Sequence, residues 1–314
     1  ILIKIQNKYK FLLDNNGTSF HKTHKGTTPL TGGFLIIINI IILQFLANIN
    51  LTIISIIILL FFFLIGVLSD VYEDFKPMLR LILQFSLIFL FIYSHEIILK
   101  SIDISLIDFF LKNKIINILF LSFCTVVLIN GLNLLDGKNG LVSINLLIVL
   151  FILYRINLKN NELGLIYIFL SIILIVFLIY NLYGKCFLGD SGVYVIGFLI
   201  SYLTIETYNK SSMVSSIFII NLLWLPSLEN LFSIVRRFLL EKIDITSPDK
   251  RHLHHLIDIY LVKKMKLKKN LSSTVTGIII NFYYLLTIIL AYNFMWSRSI
   301  NLFILLLNLL VYIF

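Results

Sequence analysis

Residues 51–68 read LTIISIIILLFFFLIGVL, eighteen residues without a charge. A run of this length and polarity is typical of a helix that crosses the hydrocarbon core of a bilayer. The whole chain has the same character, since 59% of its 314 residues are hydrophobic and only 13% are charged, against roughly 25% charged in soluble domains. The composition excludes a water-soluble globule and predicts an integral membrane protein.

Nine further apolar runs lie on either side of this one. Together they make ten candidate spans, at 33–48, 51–68, 79–94, 115–130, 141–155, 163–180, 192–206, 213–235, 272–291 and 298–314. Backbone in lipid must satisfy its own hydrogen bonds, so helix is the available structure in spite of the many Ile residues. We predict an all-α, polytopic integral membrane protein with about 10 transmembrane helices, forming a single transmembrane domain over 1–314. If an N-terminal piece is missing, the short basic stretch 1–14 is the remainder of an eleventh helix.

The basic residues are distributed unevenly between the two ends of these spans. The chain carries 26 Lys and Arg against 16 Asp and Glu, a formal net charge of +10. Assigning successive loops to alternate sides puts 19 of the 26 on one side, in 1–32, 69–80, 131–140, 181–191 and 236–270. Positively charged loops face the cytoplasm, and in a membrane protein their partners are anionic phosphates and membrane lipid rather than nucleic acid.

The first polar cluster follows the opening stretch directly, as Ser69-Asp70-Val71-Tyr72-Glu73-Asp74. It places three carboxylates within five residues at a membrane boundary. If the helix continues, Asp70 and Asp74 share a face. A solvated acidic loop is the alternative interpretation.

Two more clusters stand at the ends of spans on the same side. Asn130, Asn133 and Asp136 recur every third residue, so a helix would place them on one face, and an ionisable group there indicates function. Asp190 lies between two glycines where a span begins, which suits a magnesium–diphosphate site because Mg²⁺ takes one or two carboxylates together with substrate phosphates. Helix capping is the alternative in both places.

The fourth cluster combines arginines and histidines in the longest loop. It contains Arg236, Arg237, His252, His254 and His255, and three of the chain's six histidines fall within four residues. Zinc is disfavoured because no Cys accompanies them and no HExxH spacing is present. Beside a magnesium site, these side chains are expected to donate to phosphate oxygens.

In this order and on one side, the clusters resemble the polyprenyl-phosphate sugar-1-phosphate transferases, the MraY/WecA-type glycosyltransferase family 4, over about 22–256. The loop 21–33 is similar to the family's opening loop, with its basic, His, Gly, Pro and Gly-Gly pattern. The resemblance implies transfer of a sugar-1-phosphate, an N-acetylhexosamine-1-phosphate, from a UDP-sugar to undecaprenyl phosphate with release of UMP. It implies Mg²⁺, with Mn²⁺ as an alternative, and catalytic loops on the cytoplasmic face of a bacterial inner (plasma) membrane. The stretch FLGDSG looks closest to the branch that primes cell-surface polysaccharide and lipopolysaccharide synthesis.

The resemblance also implies roles for individual residues. The catalytic set is Asp70, Asp136, Asp190, His252, His254 and His255. The substrate-binding set is Lys25, Asp74, Asn130, Asn133, Arg236 and Arg237. Asp190 and Asp70 are the implied metal ligands. The chain departs from the family at Ser69 and at Asn139, where most or many members have Asp, and the first departure leaves open which carboxylate assists the acceptor.

Three other functions remain open at this level. One is phospho-N-acetylmuramoyl-pentapeptide transfer, and another is lipid binding by a non-catalytic relative. A transporter is the third, although its ionisable groups would lie near the middle of the membrane rather than at one boundary. The sequence leaves the sugar undetermined, and it leaves open whether the protein is a homodimer.

Overall fold

The structure is a computed structural model that describes residues 2–9, 12–14, 28–46, 52–72, 74–158, 161–241 and 251–313. Its helices are α1 (Leu2–Tyr9), α2 (Gly32–Leu46), α3 (Ile53–Val71), α4 (Pro77–Ser94), α5 (Ser105–Leu111), α6 (Lys114–Leu135), α7 (Leu141–Ile156), α8 (Asn161–Leu182), α9 (Gly189–Lys210), α10 (Ser216–Leu222), α11 (Trp224–Val235), α12 (Leu253–Lys263), α13 (Lys269–Asn293) and α14 (Arg298–Ile313). A π-helical turn, Arg236–Glu241, continues α11. Two short strands, β1 (Leu13–Asp14) and β2 (Thr28–Pro29), pair antiparallel. The prediction of an α-helical membrane fold is confirmed.

The membrane-spanning helices are recognised by length and hydropathy. Among the described residues five helices qualify, namely α3, α4, α6, α8 and α13, and the bent pair α10–α11 makes a sixth if it is one span. The apolar helices α2, α7 and α14 are shorter. Large apolar side chains on these helices point outward, among them Phe61, Phe282 and Phe303, as expected for a surface in contact with lipid. The protein is a multi-pass membrane protein, and the larger number of about ten spans stays a prediction.

Helix α9 is the central helix of the bundle. It is buried along most of its length and packs against α2, α3, α6 and α7. Its closest neighbour is α3, because Gly66 lets the two backbones meet. A Cβ atom at Gly66 would lie 2.2 Å from the Cα atom of Ser191. The close contact sets the C-terminal end of α3 beside the N-terminal end of α9.

The chain that leads into α2 runs beside the chain that leads into α9. Leu30 and Phe187 form a parallel bridge. The Phe187 N–H donates to the Pro29 carbonyl (3.1 Å), and the Gly32 N–H donates to the Phe187 carbonyl (3.2 Å). These bonds hold the beginning of the FLGDSG stretch in place, just before α9 starts at Gly189.

The acidic segment after α3 does not continue the helix, so the expectation that Asp70 and Asp74 share a helical face is wrong. α3 ends at Val71, and Tyr72 has an extended backbone. Pro77 starts α4 and disfavours helical geometry in the preceding residue, and Lys76 is accordingly non-helical (φ −52°, ψ 127°). Asp74 lies exposed in the turn between the two helices.

The apolar run 213–235 bends by 81° between α10 and α11. The reason lies in Pro226, which has no N–H to donate and whose ring would clash with the carbonyl of Leu222 in a continuous helix. That carbonyl accepts a hydrogen bond from the Tyr284 hydroxyl instead (2.5 Å). The Leu222 carbonyl therefore has a hydrogen-bond partner at the bend, and this partner belongs to α13.

Candidate active site

Asp70 caps the N-terminal end of α9. Its Oδ1 accepts from the Asp190 N–H at 2.8 Å and its Oδ2 accepts from the Ser191 N–H at 3.1 Å. The first N–H groups of a helix have no partner within the helix and carry the positive end of its dipole, so a carboxylate there is doubly favourable. Asp190, which had capping as its alternative interpretation, does not cap the helix with its side chain.

Asp136 also binds this end of α9. It follows the last residue of α6, and its Oδ2 accepts from the Gly189 N–H at 3.0 Å. Gly189 has φ +70°, and a Cβ atom there would lie 2.9 Å from Asp70 Oδ2. Only glycine fits between the two carboxylates without strain.

Asp190 makes its contacts through one carboxylate oxygen. Its Oδ2 accepts from Ser69 Oγ, from an Arg80 guanidinium nitrogen at 2.9 Å and from the Tyr194 hydroxyl at 2.9 Å. Arg80 also donates to Ser69 Oγ at 2.6 Å. Ser69 thus bridges the arginine and the carboxylate.

The three carboxylates concentrate negative charge in a half-buried place. Burial, with the charges of Asp190 and Asp70 adding to it, raises the pKa of Asp136 well above its ordinary value. Such a site favours a bound cation. Within the described ranges no group of three or more His, Cys, Asp or Glu side chains is arranged to hold a metal. Mg²⁺ needs only one or two carboxylates when substrate phosphates complete its shell, so the oxygen donors present here fit it.

Glu229 organises the histidines. It is fully buried on α11, and its Oε1 lies 2.9 Å from His254 Nδ1 and 3.1 Å from His252 Nδ1. The Tyr312 hydroxyl donates to its Oε2. An ionised carboxylate only accepts, so the imidazoles donate to it through Nδ1.

The bond from Nδ1 to Glu229 determines the hydrogen-bonding role of Nε2, the other ring nitrogen of His254. Burial lowers the pKa of His254, which favours a neutral ring that carries its proton on Nδ1. Its Nε2 is buried and has no hydrogen-bond partner among the described residues. It faces Gly137, where a Cβ atom would lie 3.8 Å away. His254 therefore presents an acceptor beside Gly137, the residue after Asp136, whereas the sequence led us to expect a donor.

The other predicted site residues are placed as follows. Asn130 donates to Gln84 Oε1 on α4 at 2.9 Å. Asn133 is half-buried on the last turn of α6, Asp74 is exposed, and His255 packs 4.2 Å from the ring of His254. Arg236 and Arg237 lie in the π-helical turn after α11, and Lys25 falls outside the described residues. The structure therefore brings Asp70, Asp136 and Asp190 together at the start of α9, and it places His254 against Gly137, the residue after Asp136.

Two residues that contact this site were missed by sequence reasoning. Arg80 had a signal, since it is the only charged residue in α4, and a charge within a span indicates function. Tyr194 lies one helical turn after Asp190, but nothing in its surroundings in the sequence marks it as polar. Both contacts depend on how α3, α4 and α9 pack.

An apolar cavity of about 290 Å³ lies between α6, α9 and the bent pair α10–α11. Cys124 and Leu128 line it from α6, Thr204 from α9 and Ile220 from α10. Phe123, which is exposed, also contributes to its lining. The cavity suits an apolar chain that enters from the lipid.

Fold and site together define a multi-pass membrane enzyme whose carboxylates meet at the start of one buried helix. The sequence model of glycosyl transferase family 4 matches residues 51–208, half of the chain, and the chain belongs to this family. It is therefore a transferase.

Its relatives carry two kinds of name. A probable undecaprenyl-phosphate N-acetylglucosaminyl 1-phosphate transferase of Bacillus subtilis is 35% identical over 40% of this chain and 36% of its own length. A phospho-N-acetylmuramoyl-pentapeptide-transferase of Prochlorococcus marinus is 31% identical over 85% of this chain and 80% of its own. An undecaprenyl-phosphate alpha-N-acetylglucosaminyl 1-phosphate transferase of Salmonella typhi is 24% identical over 76% and 67%.

Proposed function

We propose that this protein transfers N-acetylhexosamine-1-phosphate from a UDP-sugar to undecaprenyl phosphate and releases UMP, the step that primes a cell-surface polysaccharide. The observation that carries the proposal is the convergence of Asp70, Asp136 and Asp190 at the start of α9, with Arg80 beside them. The reaction joins two phosphate anions, since the second pKa of a phosphate monoester is about 6. Attack therefore requires a site in which cations offset the repulsion.

Asp190 and Asp70 would hold Mg²⁺, with Mn²⁺ as an alternative. The metal would supply positive charge for the diphosphate of the donor and the phosphate of the acceptor. Arg80 orients the Asp190 carboxylate through Oδ2, and the contacts described for this side chain leave Oδ1 for a cation. The backbone N–H groups of α9 hold Asp70. The neutral His254 would accept a hydrogen bond from an N–H or O–H group of the donor sugar or base.

The apolar cavity beside α10–α11 would take a part of the polyprenyl chain that is remote from its phosphate. Its lining is almost entirely apolar, and it borders α6 and α9, the two helices whose other ends carry Asp136 and Asp190. A lipid whose chain lay there would reach the active site from within the bilayer, with its phosphate at the end of α6 and α9 that carries the carboxylates.

The topology that follows from the charge distribution has about ten spans and places the site on the cytoplasmic face of the inner membrane. Reporters fused at Gly137 and at Lys250 should both read cytoplasmic, and a reporter near Lys112 should read external. A split between Gly137 and Lys250 would refute a common active face.

A second candidate is transfer of phospho-N-acetylmuramoyl-pentapeptide. Relatives with that name align with most of this chain, at 31% identity for one of them. The test is to incubate the purified protein with Mg²⁺, undecaprenyl phosphate and each radiolabelled UDP-sugar in turn, with Asp190→Asn as the control. We expect UMP release from a UDP-N-acetylhexosamine. Release from the UDP-linked pentapeptide alone would select the second candidate, and no release with any donor would refute both.

A further inference from the structure

Lys138 and Asp258 form a buried ion pair near the histidines. The pair is separate from the carboxylate contacts at the start of α9. Lys138 Nζ donates to Asp258 Oδ2 at 2.5 Å, across 120 residues of sequence. The two side chains are 0% and 9% exposed. Ser272 Oγ donates to the other oxygen, Asp258 Oδ1. Both oxygens of the carboxylate are thus satisfied.

Stability alone explains such a pair poorly. Burial lowers the pKa of Lys138 even though Asp258 opposes the shift, which reflects the cost of removing the ammonium group from water. Well-packed apolar side chains of similar volume usually serve stability as well or better. The best-attested use of a buried polar pair is to fix one register between two segments.

The two segments that this pair joins both carry site residues. Lys138 stands two residues after Asp136. Asp258 stands one helical turn after His254, so both project from the same face of α12. Gly137 meets His254 Nε2, and Lys138 meets Asp258. Two consecutive residues of the loop thus match two positions one turn apart on the helix.

The rest of this loop is anchored to other elements. The Asn139 N–H donates to Ser273 Oγ on α13 at 3.0 Å. The Gly140 N–H donates to Asn181 Oδ1 on α8 at 2.6 Å. Lys138 supplies the bond from the loop to α12, the helix that carries the histidines.

We propose that Lys138 and Asp258 are positioning residues that fix the register between the Asp136 loop and the His254 helix for the transfer reaction. The proposal rests on the proposed function, because it assigns the pair to the same site. The hydrogen bonds described for the two side chains are with each other and with Ser272.

The test uses Lys138→Met, Asp258→Leu and the double variant in the full-length protein. Each single variant leaves one buried charge unpaired, and we expect kcat for UMP release to fall on the order of 10- to 100-fold with the KM for undecaprenyl phosphate unchanged. Hydrogen exchange in peptides covering 136–141 should become faster. The double variant removes both charges and keeps apolar contact, so kcat and exchange should return to within about threefold of wild type.

The matched control is Thr207→Val, at the far end of α9. Thr207 is buried and lies 2.8 Å from both Asn157 Nδ2 and the Tyr167 hydroxyl. Its loss should lower the thermal midpoint without changing kcat or exchange in 136–141.

Two kinetic outcomes would overturn the proposal: single variants that fold and keep wild-type kcat, or a double variant as slow as either single one. If the wild-type protein releases no UMP from any donor, the proposed function fails by itself. Faster exchange in the single variants, reversed in the double one, would then still support the register role, and unchanged exchange would overturn it.

Discussion

Replacing Asp70 with Asn is expected to destabilise the protein as well as inactivate it. The carboxylate accepts two backbone N–H groups, at 2.8 and 3.1 Å. Asn keeps one carbonyl oxygen and turns its NH₂ group toward the second N–H. The loss of one charge-assisted hydrogen bond costs about 1.5–3 kcal/mol, and the loss of negative charge at the helix end costs about 0.3–1 kcal/mol. Removing the charge also relieves the cost of burying it and the repulsion from Asp190, which offsets part of the loss and leaves about 2 kcal/mol.

A cost of this size should lower the thermal midpoint in detergent by about 4–8 °C. The matched variant is Asp190→Asn, which changes the neighbouring carboxylate in the same way. The three hydrogen bonds to Asp190 all go to Oδ2, which the amide oxygen of Asn can replace. The ion pair with Arg80 is partly exposed, with 25% and 20% of the side chains accessible, so we expect a cost of no more than about 1 kcal/mol. UMP release should fall in both variants on the order of 100-fold or more.

Differential scanning fluorimetry and a UMP-release assay across a magnesium titration measure the two effects on the same preparations. The reasoning is refuted if Asp190→Asn lowers the midpoint as much as Asp70→Asn does, or if Asp70→Asn leaves it unchanged. An Asp190→Asn variant that stays active at low magnesium would remove the metal-ligand role from Asp190.

Three further predictions concern the groups around these carboxylates. Glu229→Gln should lower turnover about tenfold, since an amide orients His254 less strongly than a carboxylate, and full turnover in kinetic assays would contradict this. Ser69→Asp should preserve or raise turnover, because Arg80 can pair with a second carboxylate, whereas complete loss of UMP release would show that the hydroxyl is required. Burial lowers the pKa of His255 to about 3, so between about pH 6.5 and that value the unfolded chain binds a proton that the folded chain does not. The thermal midpoint of the wild type should therefore fall more steeply than that of His255→Gln as the pH drops from about 7 to 4, and parallel curves would count against it.

The carboxylates of the site could be predicted from the sequence because each has a local signal. Asp70, Asp136 and Asp190 all stand where an apolar run begins or ends, and alternate loops place them on one side. Their meeting at the N–H groups of α9 depends on the approach of α3 and α9 at Gly66, which no local pattern contains. Arg80 could have been found by the same argument from a charge within a span.

The remaining features depend on contacts between distant segments. Lys138 and Asp258 are separated by 120 residues, and neither stands out among neighbouring charges. The bend between α10 and α11 has a local cause in Pro226, but an apolar run that contains proline also occurs in a kinked single helix. Tyr284, which donates a hydrogen bond to the carbonyl left free at the bend, belongs to another helix.

Helix α13 contacts both the surroundings of the candidate active site and the bend beside the apolar cavity. At its start, Ser272 and Ser273 hold Asp258 and the Asn139 backbone, and Tyr284 holds the bend beside the apolar cavity. Ser272 and Tyr284 are twelve residues apart on α13, which corresponds to about 18 Å along the helix axis. A helix barely changes length, so α13 keeps a constant spacing between its two ends. One end holds the Asn139 loop, which would lie near the water-soluble substrate, and the other holds the bend beside the cavity, which would receive the lipid. An insertion or deletion of one residue between Ser272 and Tyr284 would also rotate one of them by about 100° around the helix axis relative to the other. The contacts to Asp258 and to the Leu222 carbonyl could then not both form.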